Sequence, residues 1–172
     1  MYSDPIIQKI FTVIKAKNGE IKKYHEAFPK RIGDSELPAI VISKVRTEVA
    51  SFDQGGAASR DQQSISLVLT LITSVRSELS TANADSDTVA GVAKLYDLME
   101  GRSESDYTLK TTSLLSILRN NLNLDIENNL RIQLEGSMAI DYGEASRDEN
   151  GEQWTTEANI AFDCHFVQRR NV

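Results

Sequence analysis

Four stretches of this chain alternate apolar and polar residues with a period of two, and that pattern restricts the fold to one built on long, half-buried β-strands. The first opens at Leu37-Pro38 with Ala39-Ile40-Val41-Ile42, apolar on both faces. It then alternates Val45, Thr47 and Val49 with Lys44, Arg46 and Glu48, like a strand emerging from a core. In the second, Ile65, Leu67, Leu69, Leu71, Thr73 and Val75 alternate with Ser64, Ser66, Thr70 and Ser74. The third sets Leu130, Ile132, Leu134, Met138, Ile140 and Tyr142 against Arg131, Gln133, Glu135, Ser137 and Asp141. The fourth sets Trp154, Ala158, Ile160, Phe162, Cys164 and Phe166 against Thr155, Glu157, Asn159, Asp163 and His165. Segments 50–61 and 143–153 join the first pair and the second pair, so the spacing predicts two long hairpins.

Helical periodicity fills the rest. Ser3-Asp4-Pro5 supplies capping side chains and a first-turn proline ahead of Ile6, Ile7, Ile10, Phe11, Val13 and Ile14, with Asn18-Gly19 as the stop. Ile21, Tyr24 and Phe28 continue at amphipathic spacing up to Pro29 and predict a second helical piece. Asp85, Ser86 or Asp87 can cap a helix through Val89, Val92, Ala93, Tyr96 and Met99 that ends at Gly101. Another helix follows through Leu114, Leu115, Ile117, Leu118 and Leu122 and ends in the run Asn120, Asn121 and Asn123. The expected fold is therefore α+β: a single domain, residues 1–172, with a mainly antiparallel four-stranded sheet against about three helices, in the order α-β-β-α-α-β-β.

Composition fits that size and class. At 172 residues, 40% hydrophobic and 26% charged, the chain can bury a core without cross-links. One cysteine cannot form an internal disulfide, and no secretory leader pattern or membrane-length apolar run is visible. A cytoplasmic site of synthesis and no membrane partner are the expectations. The net charge of −6 is polarised, since residues 1–31 carry seven Lys/Arg against three Asp/Glu. The acidic bulk disfavours phosphate binding, whereas Lys15, Lys17, Lys22 and Lys23 form a basic patch suited to an acidic neighbour.

Catalytic patterns are hard to assemble from these residues. Cys164 and His165 are strand neighbours and point to opposite faces, which parts the sulfur from the imidazole. Asp163, His165 and Glu157 share a face and are the one cluster an enzyme could use. Two distant histidines and one cysteine fall short of a zinc set, the acidic clusters lack the calcium-loop pattern, and Gly55-Gly56 lacks the following Gly-Lys-Ser/Thr of a phosphate loop. Neither a cofactor, a metal nor an enzymatic activity is expected.

In the order of its elements the chain resembles the tail terminator proteins of long-tailed bacteriophages. The matching stretches are Leu37-Pro38-Ala39-Ile40-Val41, the segment from Gln63 to Val75, Met138-Ala139-Ile140-Asp141-Tyr142-Gly143, and Trp154 to Arg169. The resemblance implies a virion structural protein of the tail or neck: a homohexameric ring that caps the head-proximal end of the tail tube. Its implied partners are further copies of itself, the tail tube protein and a head-completion or neck protein, with DNA only passing through the lumen. A neighbouring head-tail connector or tail completion protein would share these features, and a monomeric protein-interaction module could use the same fold. Within the ring reading, Asp53, Gln54 and Arg60 in the first hairpin and Glu144, Arg147, Asp148 and Glu149 in the second would meet the next subunit or partner. Lys15, Lys17, Lys22 and Lys23 would face an acidic one.

Overall fold

The computed structural model describes residues 4–51, 60–75, 84–125, 130–133, 139–144, 146–147 and 154–169. Helix α1 spans Pro5–Lys17 and begins as its sequence dictates. The Asp4 carboxylate accepts the Ile6 N–H at 2.9 Å, Pro5 occupies the first turn, and the Asn18 N–H closes the far end on the Ile14 carbonyl. Ile7, Ile10, Phe11 and Ile14 form its buried stripe. Helix α2 spans Ala84–Glu100 and helix α3 spans Leu114–Asn120. Ser113 caps α3 by accepting the Ser116 N–H. At the end of α2, a Cβ on Gly101 would sit 2.3 Å from the Asp97 carbonyl oxygen, so only glycine lets that carbonyl take the Gly101 N–H at 2.9 Å.

The strands are β1 (Lys23–Glu26), β2 (Ala39–Ser51), β3 (Arg60–Ser74), β4 (Asn123–Asp125), β5 (Leu130–Gln133), β6 (Ile140–Tyr142), β7 (Ser146–Arg147) and β8 (Trp154–Arg169). Their order in the sheet is β1-β2-β3-β8-β5-β4, with β6 and β7 also paired to β8. The two longest strands, β3 and β8, form the central antiparallel pair, in unbroken register from Arg60↔Arg169 to Ser74↔Thr155. The three α-helices contribute to one core on one face of this sheet. The odd-numbered residues Ile65 to Leu71 of β3 and the even-numbered Ala158 to Cys164 of β8 meet them there. The double-sided apolar run at the start of β2 also has its explanation. Ile40 and Ile42 enter the main core, while Ala39 and Val41 join Leu37, Ile72 and the half-buried Ile32 in a smaller cluster.

The α+β class holds, and so does the antiparallel pairing of the first hairpin, but the sheet is larger than expected and mixed. Eight strands are present among the described residues, and β1 runs parallel to β2. Residues 23–26 had been expected to be helical. A helix there would have buried Phe28 beside Tyr24, yet only nine residues separate Gly19 from Pro29, and extension gives the segment a ladder on β2. Tyr24 then packs half-buried against the core, while Phe28 stays 58% exposed. The third alternating stretch is likewise two strands. Six residues lie between Gln133 and Ile140, whereas only two, Ala161 and Phe162, lie between their partners on β8. A single continuous strand cannot satisfy both pairings; Leu134 and Met138 lie outside the described residues. The loop expected at 143–153 contains β7. Helix α2 begins at Ala84, so Asp85 to Asp87 lie inside its first turn and none of them is the residue before it. Helix α3 stops before Leu122, which is 42% exposed.

Candidate interaction surface

Strand β2 outruns its partner on one side. β1 accompanies it only from Ala39 to Ile42, and among the described residues no strand pairs with the outer side of Ser43 to Ser51. On the inner side β3 pairs with it as far as Ser51↔Asp61, and β8 continues alongside β3 to Arg169. The three strands therefore form an arm in which Lys44 to Val49 and Gln62 are all exposed. Val45 and Val49, at 66% and 58% exposure, place apolar surface on its edge.

The base of the arm is fixed by charge. Lys44 reaches Asp4 at 2.7 Å, and the Asp4 N–H donates to Glu26 at 2.9 Å, which joins the start of α1 to both β1 and β2. Burial of Asp4 acts to raise its pKa, but the hydrogen bonds from Lys44 and the Ile6 N–H, with the Lys44 charge, outweigh it and leave the carboxyl below its ordinary value of 3.8.

The basic residues predicted from the sequence are partly gathered. Lys15, Lys22 and Lys23 line a shallow depression of about 460 Å³ with Asn18, Gly19, Ile21 and Tyr24; Lys17 is exposed in the last turn of α1 and does not line it. Two of these cations already have partners: Lys15 lies 4.6 Å from the centre of the Tyr24 ring and Lys23 is 3.3 Å from Glu36. The hairpin residues are more scattered. Arg60 opens β3 opposite Arg169, Arg147 pairs with Trp154, and Glu144 is exposed beside Gly143. Asp53, Gln54, Asp148 and Glu149 lie outside the described residues.

The acid-base cluster considered for an enzyme is not assembled. Glu157 pairs with Ile72 and Asp163 with Ser66, a separation of about 20 Å along β8 at the usual strand rise. His165 has its Nε2 atom buried without a hydrogen-bond partner, so neither carboxylate reaches that nitrogen. Cys164 is fully buried on the opposite face, and burial pushes its thiol up to about 12. Among the described residues no group of three or more His, Cys, Asp or Glu side chains could hold a metal ion, and no helix is long and apolar enough to cross a membrane.

What sequence reasoning missed is the edge itself. The alternation at Val45, Thr47 and Val49 marked a strand with one apolar side, but nothing in it showed that the neighbouring strand would stop at Glu26.

Comparison with protein families finds no match, and comparison with curated proteins finds none. Among solved structures, the chain is similar to one from the virion of a native gene transfer agent particle, at 15% identity, with a TM-score of 0.25 over 95% of this chain and 92% of the other. A superposition that loose leaves the backbones largely unmatched.

Proposed function

We propose that this chain is a structural protein of a virion, of the kind that terminates the tail of a long-tailed phage: a homohexameric ring on the head-proximal end of the tail tube that offers the head a docking surface. The observation that carries this reading is the three-stranded arm, exposed along Lys44 to Val49 of β2, continuous with the central strands of the body and bordered by edges that no described strand pairs. Such an element adds backbone area outside the core and suits contact with other chains. A ring requires each subunit to present two unlike surfaces, and the two sides of the arm, β2 and β8, meet that requirement. The order of elements that resembles the tail terminators supplies the particular role, with the tail tube protein and a neck protein as partners and DNA as a passenger in the lumen. No catalytic activity belongs to this reading.

Native mass spectrometry and negative-stain imaging of the purified protein, alone and with tail tubes, test it. Rings of six copies, free or seated at one tube end, are the expected result. A protein that stays monomeric in solution and leaves supplied tubes uncapped would sink the reading.

A further inference from the structure

Backbone direction along β2 can be followed residue by residue. The carbonyls of Pro38 and Ile42 accept the N–H groups of Lys22 and Ala27 on the β1 side, so even-numbered residues at the start of β2 aim their backbone groups outward. Pairing with β3 then slips by one residue between Lys44 and Arg46. Such a bulge inverts the phase, so beyond it Thr47 and Val49 aim their N–H and C=O groups away from β3. The outer side of β8 follows the same logic. Arg131 and Gln133 of β5 pair with His165 and Asp163, and β5 turns its alternate residue, Ile132, to the Leu122 carbonyl at 2.7 Å. Odd-numbered residues of β8 thus face outward, and beyond His165 no described strand meets Val167 and Arg169.

These two free edges stand level with each other. Val49 is opposite Gln63, which is opposite Phe166, and Ser51 is opposite Asp61, which is opposite Gln168. Both β2 and β8 are antiparallel to β3, so they run in the same direction. A rotation about an axis roughly along the strands carries the β8 edge of one copy onto the β2 edge of the next without reversing either strand. It would cover the exposed Val45 and Val49 and use the backbone groups of Thr47 and Val49.

We infer that copies of this chain join by parallel pairing of the β2 edge, at Thr47 to Ser51, with the β8 edge of the neighbouring copy, at Val167 to Arg169. The contact deepens the ring reading and rests on it. It is heterologous and continues one sheet from subunit to subunit. The bulge and the charges of Lys44, Arg46 and Glu48 keep this edge from indiscriminate pairing while the chain is alone.

Thr47→Pro removes an outward N–H and leaves the β2–β3 ladder its donors, a substitution that edge strands accept; Thr47→Ala keeps the N–H and serves as control. The expected result is that T47A assembles like the wild type, whereas T47P retains its far-ultraviolet circular dichroism and needs a concentration at least about tenfold higher to form rings. Equal assembly by T47P would overturn the edge contact and leave the ring reading standing. A wild-type protein that never assembles, with or without tubes, would end both. A discrete species of two copies would point to β2 meeting β2 and would also overturn the head-to-tail contact. Should T47P fold poorly, amide exchange on the wild type decides instead: Thr47 and Val49 amides must slow on passing from monomer to ring, and unchanged exchange rejects the inference.

Discussion

Asp4 shows how much one side chain can organise. It caps α1, accepts from the Ile6 N–H and pairs with Lys44 at the base of the arm. Asp4→Ala should destabilise the protein by about 1 to 2 kcal/mol, the usual worth of a cap, measured by urea unfolding at neutral pH. The same geometry sets an acid response. A carboxyl whose pKa is lowered on folding stabilises the fold at every pH above its ordinary value of 3.8, and that contribution fades as pH falls through the lower folded value. Between about pH 5 and about pH 3 the wild type should therefore lose more stability than Lys44→Met, in which much of the lowering is gone. Parallel loss in the two proteins would show that the pair contributes nothing. Cys164 gives a simpler expectation. Fully buried and with its thiol pushed up to about 12, it should resist a thiol reagent in the native protein and react in urea.

At the scale of elements, the tie between α2 and β6 is open to a clean test. The Tyr142 hydroxyl donates to Glu100 at 2.7 Å and its ring meets Tyr96 edge-on at 4.6 Å between centroids. Burial, and then the bond and charge of Glu100, raise the Tyr142 pKa far above its ordinary value, so the phenol stays protonated at any working pH. Tyr142→Phe keeps the ring contact and should cost about 0.5 to 1.5 kcal/mol in a denaturant midpoint. The elements read from the sequence share one property: each is specified by its own residues. The cap, proline and stripe of α1, the odd-numbered apolar side of β3 and the even-numbered side of β8 are local patterns, and all three elements form as read. Elements specified by a distant partner were not legible. Strand β1 exists because β2 offers it a parallel edge, and the division of the third alternating stretch into β5 and β6 follows from register against β8. The candidate site is of this second kind, since an edge is defined by where its neighbour ends. The four lysines of the basic patch are exposed, yet Lys15 and Lys23 are engaged by Tyr24 and Glu36 in ways that their spacing does not reveal.

The whole molecule divides its sheet between two tasks, and stability should divide with it. Leu69, with no exposed surface at the centre of β3, belongs to the main core, whereas Val49, at the edge of the arm, is 58% exposed. Leu69→Ala should cost about 2 to 5 kcal/mol by removing buried surface and leaving a cavity. Val49→Ala should change stability by no more than about 0.5 kcal/mol, because more than half of its surface is already exposed. Amide exchange should follow the same division: Leu67 to Leu71 should open only with global unfolding, and the outward-facing Thr47 and Val49 amides should exchange in the monomer without any opening. A large loss of stability in Val49→Ala would mean that the arm is part of the folding unit, and the free edge would then be a structural support. Near-neutral stability combined with impaired assembly would instead place the value of Val49 in contacts between chains, which is where an apolar residue on a strand with one unpaired edge has surface left to bury.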